Sequence, residues 1–419
     1  MQMTEKEYIP FTEEMKDSYT ILAPNMLPIH FNLILQVMRD NGYTIELLTE
    51  SGPEVAETGL KYVHNDTCYP AILVIGQFIR AIESGKYDPH KTALVYFQTG
   101  GGCRASNYIF LLRKALAKAG YPYIPVISIS FDGLEEHPGF KLSLPIWYRM
   151  FYGVLYADLI MALAEQVKPY ETHKGDAQTL ADRLSIELAK EMKDGISWKK
   201  AENRMEGIIR EFAAIPADRS EKKPRVGIVG EIYVKFSPLG NNNLADFLVD
   251  NGAEVVLPGL LNFILYCIYN KTEDYRLYHR GSYLTYKVVQ FAYEFLLKKQ
   301  AKMAALMEKG GFRASEPFDE IAGIADKCIG HGCKMGEGWL LPAEMLSLAD
   351  HGTNNIVCAQ PFGCLPNHIC GKGMMKPIKQ HYPNANIVAI DYDASATKVN
   401  QENRIKLMLA NAKVEQAVK

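Results

Sequence analysis

Two hydrophobic rhythms alternate along the chain. Continuous apolar and β-branched runs (YTILAPNM at Tyr19–Met26, YTIELLT at Tyr43–Thr49, KTALVYFQ at Lys91–Gln98, IPVISIS at Ile124–Ser130) read as strands buried on both faces. Between them, IHFNLILQVMRDNG and YPAILVIGQFIRAIESG place apolar residues at helical spacing and end at Gly42 and Gly85. Helical patterns then dominate from Pro145 to Ala214. A polar stretch with two prolines, IPADRSEKKPR (Ile215–Arg225), reads as a linker. After it the rhythm restarts: strand RVGIVGEIYV, helix NNLADFLVDNG, strand AEVVLPG, a long helical region, helix GWLLPAEMLSLADHG, strand NNIVCAQP, helix GMMKPIKQHYP, strand NIVAIDY and a last helix. Strands alternating with helices predict βαβ units on parallel sheets. The reading is an α/β protein of two similar domains, 1–217 and 218–419, without a clear sequence repeat between them.

Composition narrows the classes. The chain has 419 residues, 48% hydrophobic and 22% charged, with a formal net charge of -2. Without a basic excess, a nucleic-acid partner is not expected. The longest apolar helix, Leu144–Val167, is interrupted by Arg149 and Asp158 and reads as a core helix rather than a membrane span. The N-terminus is polar and acidic, unlike a secretory leader. A cytoplasmic setting follows as the expectation, in which thiols stay reduced. Eight cysteines then point to metal binding, redox chemistry or core packing.

Three of these cysteines are set among Gly, Pro, Asp and Asn ahead of predicted helices: Cys68 (NDTCYPA), Cys103 (QTGGGCRASNY) and Cys364 (AQPFGCLPNH). Two of them follow predicted strands, on the edge of an open α/β sheet where ligands bind. A helix N-terminus favours thiolate and an anionic metal cluster. The glycines before Cys103 let the backbone approach a bulky anion, with Gly101, Gly102 and Arg104 as the cofactor-contacting residues. A phosphate loop is a poor alternative, since no Gly-x4-Gly-Lys-[Ser/Thr] occurs. Cys267 and Cys358 lie in apolar segments and read as core. Cys328 and Cys333 form Cys-x4-Cys, and Cys370 follows Cys364 by six residues; neither spacing is the Cys-x2-Cys of zinc ribbons. His368, between two candidate ligands, and Glu337, in KMGEGW, are weak catalytic candidates, Glu337 reading first as a charge at a helix N-terminus.

These same blocks, with GEIYVKFSPLGNNN, GEGWLLPAEM and NIVAIDYDASATKVNQ, resemble the 2-hydroxyacyl-CoA dehydratase superfamily over about Ala23 to Leu409. Its activase-associated, double-cubane branch is the most similar. The resemblance implies two flavodoxin-like domains with an iron–sulfur cluster in the cleft between them. It implies Cys68, Cys103 and Cys364 as ligands of one [4Fe-4S] cubane. With Cys328, Cys333 and Cys370 added, six cysteines would hold an [8Fe-9S] double cubane. It further implies a separate homodimeric activase that hydrolyses ATP, a small-molecule substrate and a homodimer. The expected function is a low-potential iron–sulfur reductase. The alternatives are a 2-hydroxyacyl-CoA dehydratase subunit with one [4Fe-4S] cluster, and a non-catalytic electron-transfer protein.

Overall fold

A computed structural model describes residues 8–97, 102–129 and 135–418. The chain forms two compact units that divide between Met150 and Phe151. The first is built on β1 (Thr20–Ala23), β2 (Ile45–Leu47), β3 (Thr92–Phe97) and β4 (Val126–Ile129), all parallel in the order β2-β1-β3-β4. Helices α1 (Pro28–Arg39), α2 (Pro53–Tyr62), α3 (Tyr69–Glu83) and α4 (Tyr108–Lys118) connect the strands. Gly42 and Gly85 take positive φ after α1 and α3, as their reading as helix stops requires. α2 was not evident in the sequence. It crosses α3 with main chain against main chain. A Cβ on Gly59 would lie 2.1 Å from the Ile72 carbonyl oxygen, and one on Gly76 would lie 2.0 Å from that of Val55.

Helix α5 (Leu144–Val167) has the length and apolarity of a membrane span, yet 89% of its most apolar window is buried in the protein. Its two interrupting charges are both used. Arg149 lies 3.8 Å from Asp40. The Asp158 carboxylate accepts the Leu260 and Leu261 N–H groups at 2.7 and 2.9 Å and so satisfies the first turn of a later helix.

The second unit continues through α6 (Asp176–Glu191) and α7 (Trp198–Ala213) to β5 (Arg225–Gly230), α8 (Ile232–Phe236), α9 (Leu244–Asp250), β6 (Glu254–Val256), α10 (Leu260–Tyr278), α11 (Tyr283–Lys309), α12 (Phe318–Ala325) and α13 (Leu340–Asp350). It closes with β7 (Asn355–Pro361), α14 (Met375–His381), β8 (Asn386–Tyr392) and α15 (Lys398–Val418). The helices before the Ile215–Arg225 segment are attached here: Glu202 and Glu206 on α7 pair with Lys302 and Lys309 on α11 at 3.0 and 2.9 Å. Tyr170 donates to Glu254 at 2.9 Å.

The second sheet is parallel in the order β6-β5-β7-β8, which repeats the order of the first. Two four-stranded parallel sheets of this kind are consistent with a two-domain flavodoxin-like arrangement. In each sheet the strand order reverses between its first and third strands, the position where open α/β sheets bind ligands. The run RVGIVGEIYV was expected to be one strand and is not. It stops at Gly230, whose φ of +149 and contact with the Ala359 carbonyl (1.8 Å from a built Cβ) admit only glycine. Glu231 then accepts the Val234 N–H at 2.8 Å and caps α8.

Candidate functional site

In the first unit Cys68 is the residue that caps α3. Its carbonyl accepts the Ala71 and Ile72 N–H groups, and Pro70 stands in the first turn, where no amide hydrogen is needed. Cys103 caps a short turn at Arg104–Asn107, and its Sγ accepts the Ala105 N–H at 3.4 Å. A sulfur held by a backbone donor is favoured as thiolate. Arg104 donates from its guanidinium to the Asp66 carbonyl, two residues before Cys68, and so ties the two cysteine loops together. Gly102 forms the bend before Cys103; Gly101 lies outside the described residues.

In the second unit Cys364 directly precedes a helical segment and is buried. Asn367, itself fully buried, donates from Nδ2 to the Cys364 Sγ at 3.3 Å. His368 stays half-exposed, with Nδ1 2.9 Å from the Cys364 carbonyl oxygen and Nε2 3.8 Å from Asp391. Residues Asn367–Gly371 wind as a π turn, an insertion that recurs at functional sites, and carry Cys370. Burial, and then the charge of nearby Cys333, push the Cys370 thiol up to about 11.

Cys333 is exposed on a firmly anchored turn. Its carbonyl accepts the Trp339 N–H at 2.8 Å. Tyr266 on α10 donates to the Lys334 and Gly336 carbonyls at 3.0 and 2.9 Å. Cys328 turns elsewhere: it packs with Ile324, Met374, Met375 and Tyr382 against the apolar cluster that contains Cys358, and burial raises its thiol. Cys358 is fully buried in that core, its thiol pushed up to about 12 by burial. Cys267 is half-buried on α10.

Glu337 stands just ahead of α13 and faces the first turn of α8. It is buried, and it accepts the Ile232 N–H at 3.0 Å. With Glu231 it forms a pair of buried carboxyls beside the first turn of α8, at the end of β5. Four charged side chains meet here from three elements: Glu231 and Lys235 around α8, Glu337 on the loop before α13, and Glu344 on α13. Lys235 holds Glu344 at 3.1 Å. Burial, then the Glu337 charge, push Glu231 up to about 8 from an ordinary 4.5, and burial raises Glu337 as well. The sequence reading missed Glu231, Lys235, Glu344 and Asn367. The available signal was GEIYVKF, where a glutamate and a lysine four apart follow the strand-ending glycine.

The raised Glu231 fixes the sign of a pH effect. Between about pH 4.5 and 8 the folded state keeps a proton there that the unfolded chain has released, so this group's contribution to stability falls as pH rises through that window. Glu231→Gln removes the term. The expected outcome is that the unfolding free energy of E231Q, minus that of the wild type, increases from pH 5 to pH 8 and then levels off. Urea unfolding at a series of pH values measures it, and a difference independent of pH would contradict it.

Among the described residues, no group of three or more His, Cys, Asp or Glu side chains is gathered as a metal site. In the first unit the loops that carry Cys68 and Cys103 are joined through Arg104 and the Asp66 carbonyl, and in the second Cys333 lies near Cys370, on the segment headed by Cys364. These donors are soft thiols, two of which, Cys103 and Cys364, are met by amide N–H groups, and in kind they fit an iron–sulfur cluster. A scan against protein-family models matches none, and a search of curated proteins finds no match. The functional reading rests on these loops and on the sequence blocks that contain them.

Proposed function

We propose that the chain is an iron–sulfur reductase. It would receive low-potential electrons from a separate homodimeric ATP-hydrolysing activase and use them to reduce a small molecule in the cytoplasm. One observation carries this reading. Cys68, Cys103 and Cys364 each stand immediately ahead of a helical segment, and Cys103 and Cys364 follow the third strand of their respective sheets. Equivalent points of two like sheets thus present thiols where backbone N–H groups favour thiolate.

Cys68, Cys103 and Cys364 would hold one cubane, and Cys328, Cys333 and Cys370 the second half of an [8Fe-9S] assembly. Bound there, the cluster would supply one-electron chemistry at potentials reaching roughly -700 mV. The protein's own contribution is local. Asn367 and the Ala105 N–H direct hydrogen bonds at sulfur, which tunes a thiolate's electron density. Glu231 keeps a proton in a buried setting near neutral pH, beside Glu337, whose carboxyl burial also pushes up.

Cys328 is the weakest member of the six, because it packs into the apolar cluster. That favours the second reading, a 2-hydroxyacyl-CoA dehydratase subunit with one [4Fe-4S] cluster. Iron and sulfide analysis of anaerobically prepared protein separates the two. About eight irons per chain supports the double cubane and about four the dehydratase subunit, following the cluster types. The triple variant C328S/C333S/C370S is expected to keep about half the wild-type iron in the first case and all of it in the second. Full loading and reduction by an activase, without turnover of any small substrate, would leave an electron-transfer protein.

A further inference from the structure

At the carboxyl edge of the second sheet, where β6 ends, a small cavity opens between the loop after β6, the loop before α12 and one face of α13. Its volume of about 20 Å³ admits one body of the size of a water molecule. Asn262, Ser315, Glu316, Glu344 and Ser347 supply its polar lining. Ser347 is 3% exposed, and among the described residues its Oγ has no hydrogen-bond partner. A buried hydroxyl without a partner is costly, and this one borders a space that a single small ligand would fill.

The surrounding charge identifies the ligand. Both oxygens of Glu344 face the Lys235 ammonium, at 3.1 and 3.2 Å. The same ammonium draws Glu231 and Glu337 toward their charged forms. With Glu231 protonated, one lysine still serves Glu337 and Glu344. Glu316 adds a further carboxyl: burial pushes Glu344 up, and the field of Glu316 adds to it. The basic groups near Glu316 are engaged elsewhere. His351 Nδ1 lies 3.9 Å from Glu316 but 2.9 Å from the Ser347 carbonyl oxygen, which can only accept, so the ring donates there. Arg225, in the field of Glu316, donates to the His351 and Gly352 carbonyls at 3.4 and 3.2 Å. A water would satisfy Ser347 and leave the surplus of negative charge, whereas a cation relieves both. Magnesium keeps several waters and calcium takes about six to eight oxygens, more than a cavity for one body admits. A divalent ion would also face the Lys235 ammonium across Glu344. A monovalent ion as large as a water molecule, potassium or ammonium, meets neither objection.

We propose that this cavity binds one monovalent cation of potassium size through the Ser347 hydroxyl and the Glu316 and Glu344 carboxylates, tying the end of β6 and the loop before α12 to α13. The inference is independent of the proposed reaction and needs no cluster, so it is tested on iron-free full-length protein. Urea unfolding at constant ionic strength compares potassium and ammonium chloride with tetramethylammonium chloride, whose cation is too large to enter. The wild-type midpoint is expected to rise and saturate with either small cation. Ser347→Ala and Glu316→Gln are each expected to weaken the apparent potassium affinity roughly tenfold or more, as for the loss of one polar group from a charge. In tetramethylammonium alone S347A is expected to be at least as stable as the wild type, because it removes an orphan hydroxyl. Equilibrium dialysis with rubidium, a potassium stand-in, is expected to give one ion per chain in the wild type and a clear loss in S347A. A wild-type midpoint indifferent to potassium and ammonium would mean that the cavity takes a water only, and would overturn the proposal. A potassium effect undiminished in S347A would overturn it as well. Stronger stabilisation by magnesium or calcium would overturn the choice of a monovalent ion.

Discussion

Serine at Cys68, Cys103 or Cys364, one at a time, is expected to reduce the iron held by anaerobically prepared protein to a small fraction of the wild-type content. The expectation follows from position. Each thiol heads a helical segment, and two of them already receive a hydrogen bond at sulfur, from the Ala105 N–H and from Asn367. A serine hydroxyl has nearly the same volume, so packing changes little. Its pKa, however, is far too high for it to replace a thiolate as a soft ligand. Loss of iron without loss of fold is therefore the distinguishing signature. Iron analysis and electron paramagnetic resonance read the first, and thermal unfolding the second. If all three variants kept full iron and an unchanged spectrum, the ligand assignment would be wrong.

The second large effect is on stability. Lys235→Met is expected to destabilise the protein by about 3–5 kcal/mol, the usual cost of removing one partner of a buried ion pair. The Lys235 and Glu344 side chains are only 4% and 1% exposed and lie 3.1 Å apart. Burial pushes Glu344 up, and the ammonium pulls it back. Without the ammonium the carboxylate must either ionise unpaired or take a proton, beside a Glu231–Glu337 pair that already disfavours further charge. A loss of this size is a large part of the roughly 5–15 kcal/mol that holds a typical domain folded. Lys235→Met combined with Glu344→Leu is expected to recover most of it, because a matched apolar pair leaves no orphan charge. Urea unfolding of the single and double variants measures both. A single variant within 1 kcal/mol of wild type would contradict the buried-pair reading.

The strands were legible in the sequence because parallel strands buried on both faces need uninterrupted apolar runs, as at Thr92–Phe97 and Asn355–Pro361. Helix ends at Gly42 and Gly85 were legible through the left-handed turn that follows each. Helix α2 was missed because PEVAETGLKY carries few apolar positions and is held mainly by its crossing with α3. The stretch IYVKF looked like strand because its β-branched and aromatic residues suit one. A glutamate cap and a glycine that only tertiary contact explains make it helical. In the site, the placement of Cys68, Cys103 and Cys364 ahead of helices was readable from their Pro and Gly neighbours. The buried carboxyls were not, because a charged residue in a sequence reads as surface until its partners from distant segments are known. Asn367 was hidden for a related reason: it reads as an ordinary surface amide until the fold buries it against the Cys364 sulfur.

The crossing of α2 and α3 bears on how Cys68 is held. Where helices meet through side chains, a foreign methyl group is absorbed by rotamer changes, and the joint behaves like a cushion. At Gly59 and Gly76 there is no cushion, only carbonyl oxygens about 2 Å from where a methyl would stand. The joint is a hinge pin with no play, and Cys68 sits at the head of the bar it fixes. An added carbon at either glycine would swing that bar as a whole and carry the thiol with it, while leaving every side chain around the cysteine unaltered. Sequence changes well away from the candidate ligands can thus decide whether Cys68 is in reach of what it binds.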